Sequence, residues 1–159
     1  MLVNKFLIGE AAAAVESMMP LAHPADAVLR RFFRERTKLG QRDREFVAEV
    51  VYAWLRRKRS LEHVAATQDA RSLVLATLVK VLGFNVRQLE PFITPREVEW
   101  IEHVKAKTLD DAPLGVQLDL PDWLCERLEA QSGRDGLAAF AAAMLRRPRM
   151  RGAWCWRHW

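Results

Sequence analysis

Residues 41–59 read Gln41-Arg-Asp-Arg-Glu-Phe-Val-Ala-Glu-Val-Val-Tyr-Ala-Trp-Leu-Arg-Arg-Lys-Arg59. Phe46, Val47, Val50, Val51, Trp54 and Leu55 recur at the three-and-four spacing of a helix, and no Gly or Pro interrupts them. The spacing predicts a helix over about Gln41 to Arg57. One face of it is apolar for nearly two heptads, so it needs a core to bury that face in.

The same reading extends in both directions. Gly40 breaks the chain before this helix. Upstream, a helix opens at Pro24, with Val28, Leu29, Phe32 and Phe33 on one face and Arg30 and Arg34 on the other. The first helix runs from about Asn4 to Met19 and stops at Pro20; its run Ala11–Ala14 favours helix and lets a neighbour come close. Downstream, Ser60 reads as the N-cap of a short helix holding Leu61 and Val64. Asp69 caps a helix through Leu73, Leu75, Leu78, Val81 and Leu82 that Gly83 closes. That helix is apolar nearly all round, which predicts a buried central position.

Thr94-Pro95-Arg96-Glu97 joins a capping box to a proline at the first helical position and launches a helix through Val98, Ile101 and Val104. A loop is expected over about 108–119. Pro121 opens a helix through Trp123, Leu124 and Leu128 that stops at Gly133. The last helix, about Asp135 to Arg146, is expected to pack Leu137, Phe140, Met144 and Leu145. No period-two strand and no internal repeat is present. The fold class is all-α: a compact bundle of seven to eight helices in one domain, residues 1–146.

Composition agrees with a folded domain. Half of the 159 residues are hydrophobic and 28 % are charged, which is close to the globular average. Two cysteines, Cys125 and Cys155, are too few for a disulfide framework. The start is interrupted by Lys5, Glu10 and Glu16, so it reads as an amphipathic helix rather than a secretory signal. No apolar run approaches the ~18 residues of a membrane span. The expected location is a reducing cytoplasm, with no membrane partner.

The net charge of +5 is unevenly spread. Residues 30–59 hold eleven Lys/Arg against four acids, and the last fourteen residues hold five Arg and no acid. A basic block on an otherwise acidic chain fits either a solvated charged face or a polyanion partner, of which nucleic acid is the commonest. Arg56-Arg57-Lys58-Arg59 concentrates four cations at the end of one helix. One or two would complement the helix dipole; four repel one another unless an anion is near. The candidate RNA-binding residues are Arg30, Arg34, Arg42, Arg44, Arg56, Arg57, Lys58 and Arg59. Arg42 and Arg44 also have salt bridges open to them, and Asp43 and Glu45 offset their charge at the positive end of the helix.

Catalytic patterns are missing. There is no GxGxxG or GxxxxGK[ST] loop, no Gly-x-Ser-x-Gly elbow and no His-Glu-x-x-His. His23, His63, His103 and His158 are isolated from one another. Cys125 sits in an apolar turn and reads as a buried thiol. Asp110-Asp111 reads as a pair of solvated loop acids. The chain is therefore expected to have no catalytic residue, no metal and no cofactor of its own.

The composition changes after Leu145. Residues 147–159 form an unpatterned tail with three of the six tryptophans. It reads as a frameshift or truncation product, with a base-stacking arm, or metal ligation by Cys155 and His158, as alternatives.

The stretch Pro24-Ala-Asp-Ala-Val-Leu together with Arg42-Asp43-Arg44, Phe46, Val51-Tyr52 and Leu55-Arg56-Arg57 resembles the N-terminal, NusB-like domain of the Fmu/Sun (RsmB-type) ribosomal RNA cytosine-5 methyltransferases. Ala53 stands where that family has Gly, a change small enough to keep close helix packing. Leu120-Pro121-Asp122-Trp123-Leu124 is a second match. The resemblance covers about residues 1–146, roughly a third of the family's full-length enzyme. It implies a helical RNA-binding module truncated before an S-adenosylmethionine-binding catalytic domain, with 16S rRNA as the RNA. None of these residues inherits the family's catalytic cysteines or its cofactor. A helical protein-interaction domain and a free-standing NusB-type antitermination factor are the alternatives; the Pro-Asp-Trp-Leu helix argues against the second.

Overall fold

The computed structural model describes residues 3–146 as nine α-helices and one 3-10 turn, with no strand among the described residues. In chain order they are α1 (Lys5–Met18), α2 (Ala25–Glu35), α3 (Gln41–Arg56), α4 (Lys58–Ala65), α5 (Ala70–Lys80), α6 (Val86–Leu89), the turn Glu90–Phe92, α7 (Pro95–Ala106), α8 (Leu114–Gln117) and α9 (Asp122–Leu145). The all-α bundle expected from the sequence is the fold. The tail 147–159, and with it the readings of Cys155 and His158, lies outside the described residues.

Helix α5 is the centre. Seven consecutive residues, Leu73 to Val79, are buried. Helices α1, α3, α4 and α7 all pack on it. Thr77, the polar residue in this run, is wholly buried and donates its hydroxyl to the Leu73 carbonyl (2.7 Å), so the burial leaves no unmet donor there. Five of the six apolar residues read on α3 are buried, Phe46, Val47, Val50, Val51 and Trp54, while Leu55 is half-buried and the small Ala48 and Ala53 are buried too. Ala11, Ala14 and Val15 of α1 are buried against α3 and α5, where small side chains let backbones approach.

The helix ends are closed by chemistry the sequence displayed. Asn4 Oδ1 accepts from Leu7 N–H (2.8 Å), and an Asp69 carboxylate oxygen accepts from Ser72 N–H (2.8 Å). Thr94 and Glu97 bond reciprocally, with Thr94 N–H to Glu97 Oε2 at 2.7 Å. Gly83 takes the left-handed conformation (φ 74°) that ends α5. Two lysines close C-termini of other helices. Lys80 donates to the carbonyls of Lys105 and Lys107 at the end of α7, and Lys107 donates to Val64 in the last turn of α4.

Several expectations need correction. Ser60 is not an N-cap: α4 begins at Lys58, with only Arg57 between it and the end of α3, and Ser60 lies inside it. The expected loop over 108–119 contains α8, a single turn that Pro113 precedes with the fixed φ of proline. The two short pieces after Gly83, α6 and the 3-10 turn, bring the helix number above the expected eight. The expected stop at Gly133 holds: its φ of 70° and ψ of 178° are not helical and divide the span Asp122–Leu145 into two helices. That break sets the rotation of the last segment. It buries Leu137 and Ala141, while Phe140 and Met144 are exposed instead of packed. Trp123 is also exposed, at 63 %.

The residues after Ala112 have their own small apolar cluster. Leu120, Cys125, Leu137 and Ala141 are buried, with Leu114, Leu118, Leu124 and Leu128 packed around them. This cluster is separate from the main core. Helix α8 links it to α4.

Replacing Leu75 by Ala should lower the unfolding free energy by about 2–5 kcal/mol, the cost of a buried cavity. Met144→Ala should stay within about 0.5 kcal/mol. Urea denaturation followed by circular dichroism measures both, and comparable losses would refute the rotation of the last segment. A second prediction concerns acid. Burial alone would raise the Glu97 carboxyl, but hydrogen bonds from Arg71 and Thr94 bring it down to about 2. Its stabilisation is present above the ordinary carboxylate range near 4.5 and is lost as pH falls from there towards 2. Glu97→Gln should flatten the stability–pH curve in that window.

Candidate functional site

The basic segment 30–59 crosses three helices, and the structure divides it into an outer and an inner set. The outer set is solvent-exposed on α2, on the turn after it and at the start of α3: Arg30, Arg31, Arg34, Lys38 and Arg42. Arg30 lies 3.6 Å from Asp26, and Arg31 Nε lies 3.0 Å from Glu35, both one helical turn away. Such exposed pairs hold a side chain loosely. Arg31 belongs with this set although sequence reasoning passed over it; its signal was its place beside Arg30 and Arg34 on the polar side of an amphipathic helix.

The inner set is engaged with the chain itself. Arg36 meets Glu10 at 2.8 Å, and its guanidinium lies 3.8 Å from the centre of the Phe32 ring. Arg44 is half-buried. Its Nε donates to the Leu39 carbonyl (3.0 Å), and its guanidinium sits over the Phe33 ring at 5.9 Å. Asp43 accepts from the Gly40 N–H (3.1 Å), which completes the start of α3. Arg44 therefore braces the α2–α3 turn, while Arg42 faces solvent.

The quartet Arg56 to Arg59 does not form one outward turn, because α3 ends at Arg56 and α4 starts at Lys58. Arg57 is the joint between them. Lys58 pairs with Glu62 (2.6 Å). Arg59 forks onto both carboxylate oxygens of Asp122, at 2.9 and 3.1 Å, and also donates to the Leu120 carbonyl. Arg57 lies 3.7 Å from Asp119. The anions that four adjacent cations require are thus supplied in large part by residues some 60 positions later. Arg56 and Arg57 also line a cleft of about 610 Å3 whose other walls include Ala53, Leu82, Phe84 and Gln88.

Asp119 explains why α4 starts without a local cap. One carboxylate oxygen accepts from the Ser60 N–H (2.8 Å) and the other from the Ser60 hydroxyl (2.7 Å). The side chain is 1 % exposed. It is an N-cap delivered from the far end of the fold. Burial pushes its carboxyl up, and the Ser60 bonds and Arg57 pull against that. Asp119 itself closes α8. Its φ is 53°, its N–H bonds to the Val116 carbonyl, and Leu120 N–H bonds to that of Gly115. Glycine is the usual residue at such a position; Asp tolerates it and adds a side chain that reaches α4. Gly115 is the complementary requirement. A Cβ there would press on the Arg59 guanidinium, the Asp122 carboxylate and the Leu120 carbonyl. Nothing local in residues 115–122 displays this junction, since both partners lie in another helix pair.

No other chemistry gathers. The three described histidines are exposed and lie on separate elements. Cys125 is buried, and burial pushes its thiol up. Asp110 and Asp111 are exposed. Among the described residues no three His, Cys, Asp or Glu side chains are grouped to hold a metal, and no helix is long and apolar enough to cross a membrane. The chain matches no family model, no curated protein and no solved structure.

Replacing Asp119 by Ala removes the cap and leaves donors at the start of α4 unmet. The chain should lose about 1–3 kcal/mol in chemical denaturation. Hydrogen exchange at the Ser60 amide should rise more than at amides of α1. Equal protection in the variant would contradict the capping role.

Proposed function

We propose that this chain is an RNA-binding accessory domain with no catalytic centre of its own. The observation that carries the reading is the outer set of cations. Arg30, Arg31, Arg34, Lys38 and Arg42 lie exposed on α2, on the turn after it and at the start of α3, outside the buried faces and the helix caps. Positive charge displayed this way attracts a phosphate backbone. The cleft lined by Arg56, Arg57, Glu49 and Phe84 places an aromatic ring near cations, a surface on which a base can stack.

The finer reading rests on the resemblance of Arg42-Asp43-Arg44, Phe46, Val51-Tyr52, Leu55-Arg56-Arg57 and Leu120-Pro121-Asp122-Trp123-Leu124 to the NusB-like domain of ribosomal RNA cytosine-5 methyltransferases. On that reading the RNA is 16S rRNA, the location is the cytoplasm, and S-adenosylmethionine belongs to a catalytic domain that these residues do not form. A second reading, a protein-interaction domain, is favoured by the exposed apolar residues Phe140 and Met144 on the last segment of α9.

The triple variant Arg30→Gln, Arg34→Gln, Arg42→Gln should fold as the parent does and bind a single-stranded RNA more weakly across sequences. The slope of log affinity against log salt should fall by roughly 0.7 for each phosphate that the variant no longer neutralises. Fluorescence anisotropy over a salt series reads both. An unchanged slope with a folded variant would favour the protein-interaction reading.

A further inference from the structure

Arg59 is held in the geometry by which a guanidinium takes a phosphate. Its fork meets two oxygens of one planar anion at 2.9 and 3.1 Å. The nitrogen that meets one Asp122 oxygen also donates to the Leu120 carbonyl, and Gly115 leaves it room, because a Cβ there would collide with it. The anion in the fork is unlike the rest of its cage. The Asp122 side chain is 65 % exposed, whereas Asp119, one turn back, is 1 % exposed. Asp119 is therefore a permanent part of the fold, and Asp122 is a surface partner. Salt and a competing anion reach this bidentate pair from the carboxylate's side, since the Arg59 side chain is only 33 % exposed.

We propose that Arg59 is a latent phosphate site, with Asp122 as a built-in competitor that a phosphodiester group of single-stranded RNA displaces. The inference rests on the RNA-binding reading above and deepens it by naming the phosphate-binding side chain and what guards it. In the exchange, Asp122 turns into the water it already borders, and the phosphate takes both nitrogens of the fork. The Leu120 carbonyl keeps the guanidinium in place. Arg57 provides a second cation at the same junction. The strand offsets the broken pair by shedding condensed counterions, a gain the carboxylate does not offer. Until it binds, the competitor lowers the apparent affinity by the fraction of time the fork is occupied.

The experiment compares Asp122→Asn, Arg59→Gln/Asp122→Asn and Asp110→Asn/Asp111→Asn in the full chain, with a poly(U) strand as probe. Melting temperatures establish that each variant is folded. Asp122→Asn should bind more tightly than the parent at the same salt slope, because the phosphate enters the fork in both and only the competitor is gone. Adding Arg59→Gln should abolish the gain and lower the slope by about 0.7, one neutralised phosphate fewer. The Asp110/Asp111 variant removes two exposed acids without opening a fork, and its affinity should rise less than that of Asp122→Asn. If Asp122→Asn binds no more tightly than the parent while the parent binds RNA through Arg30, Arg34 and Arg42, the latent site is overturned and the broader reading stands. If the parent fails to bind and Asp122→Asn binds, the latent site stands and the outer surface is discarded. Absence of binding in every variant overturns both.

Discussion

Helix α5 has no side to give to water. Seven adjacent buried residues require partners in every direction around its axis, and α1, α3, α4 and α7 supply them. An amphipathic helix can be covered by one neighbour, but a helix apolar all round has to be enclosed. The bundle follows from that requirement. The faces of α1 and α3 are apolar because they look at α5. Thr77 is admitted to the interior because its hydroxyl bonds to its own helix.

The electrostatics solve a different problem. A chain carrying eleven cations in thirty residues must keep them from destabilising the fold they decorate. Five or so are absorbed: Arg36 by Glu10 and a ring face, Arg44 by a carbonyl, and Arg57, Lys58 and Arg59 by carboxylates. Those on α2 are left at the surface. A guanidinium is suited to the absorbed role because it is planar, always charged and can pair with a carboxylate while resting on an aromatic ring.

The sequence displayed the long helices well, because their signals are local. The stripe of α3, the caps Asp69 and Thr94, the stop at Gly83 and the break at Gly133 each depend on residues within one or two turns. What stayed hidden depends on contacts between distant residues. Ser60 looked like a cap because Ser caps helices, yet the cap came from Asp119. Phe140 and Met144 looked like core because they recur at helical spacing, yet the rotation set at Gly133 turned Ala141 inward instead. Of the candidate site, Arg30, Arg34 and Arg42 were legible as surface cations from the amphipathic pattern and the charge run. The engagement of Arg44, Arg57 and Arg59 was not, since a run of cations reads the same whether its counter-charges come from solvent, a ligand or residue 122.

The remote cap has a consequence for how the chain is made. Synthesis runs from the N-terminus at a rate of about 5–20 residues per second. Helix α4 has its residues by Ala65 but not its cap. For several seconds the joint between α3 and α4 is present with Arg57 and Arg59 still waiting for Asp119 and Asp122, and with the Ser60 amide uncapped. Only when residues 119 and 122 are made do Arg57 and Arg59 gain the anions that the fold provides for them, while Lys58 has Glu62 within its own helix.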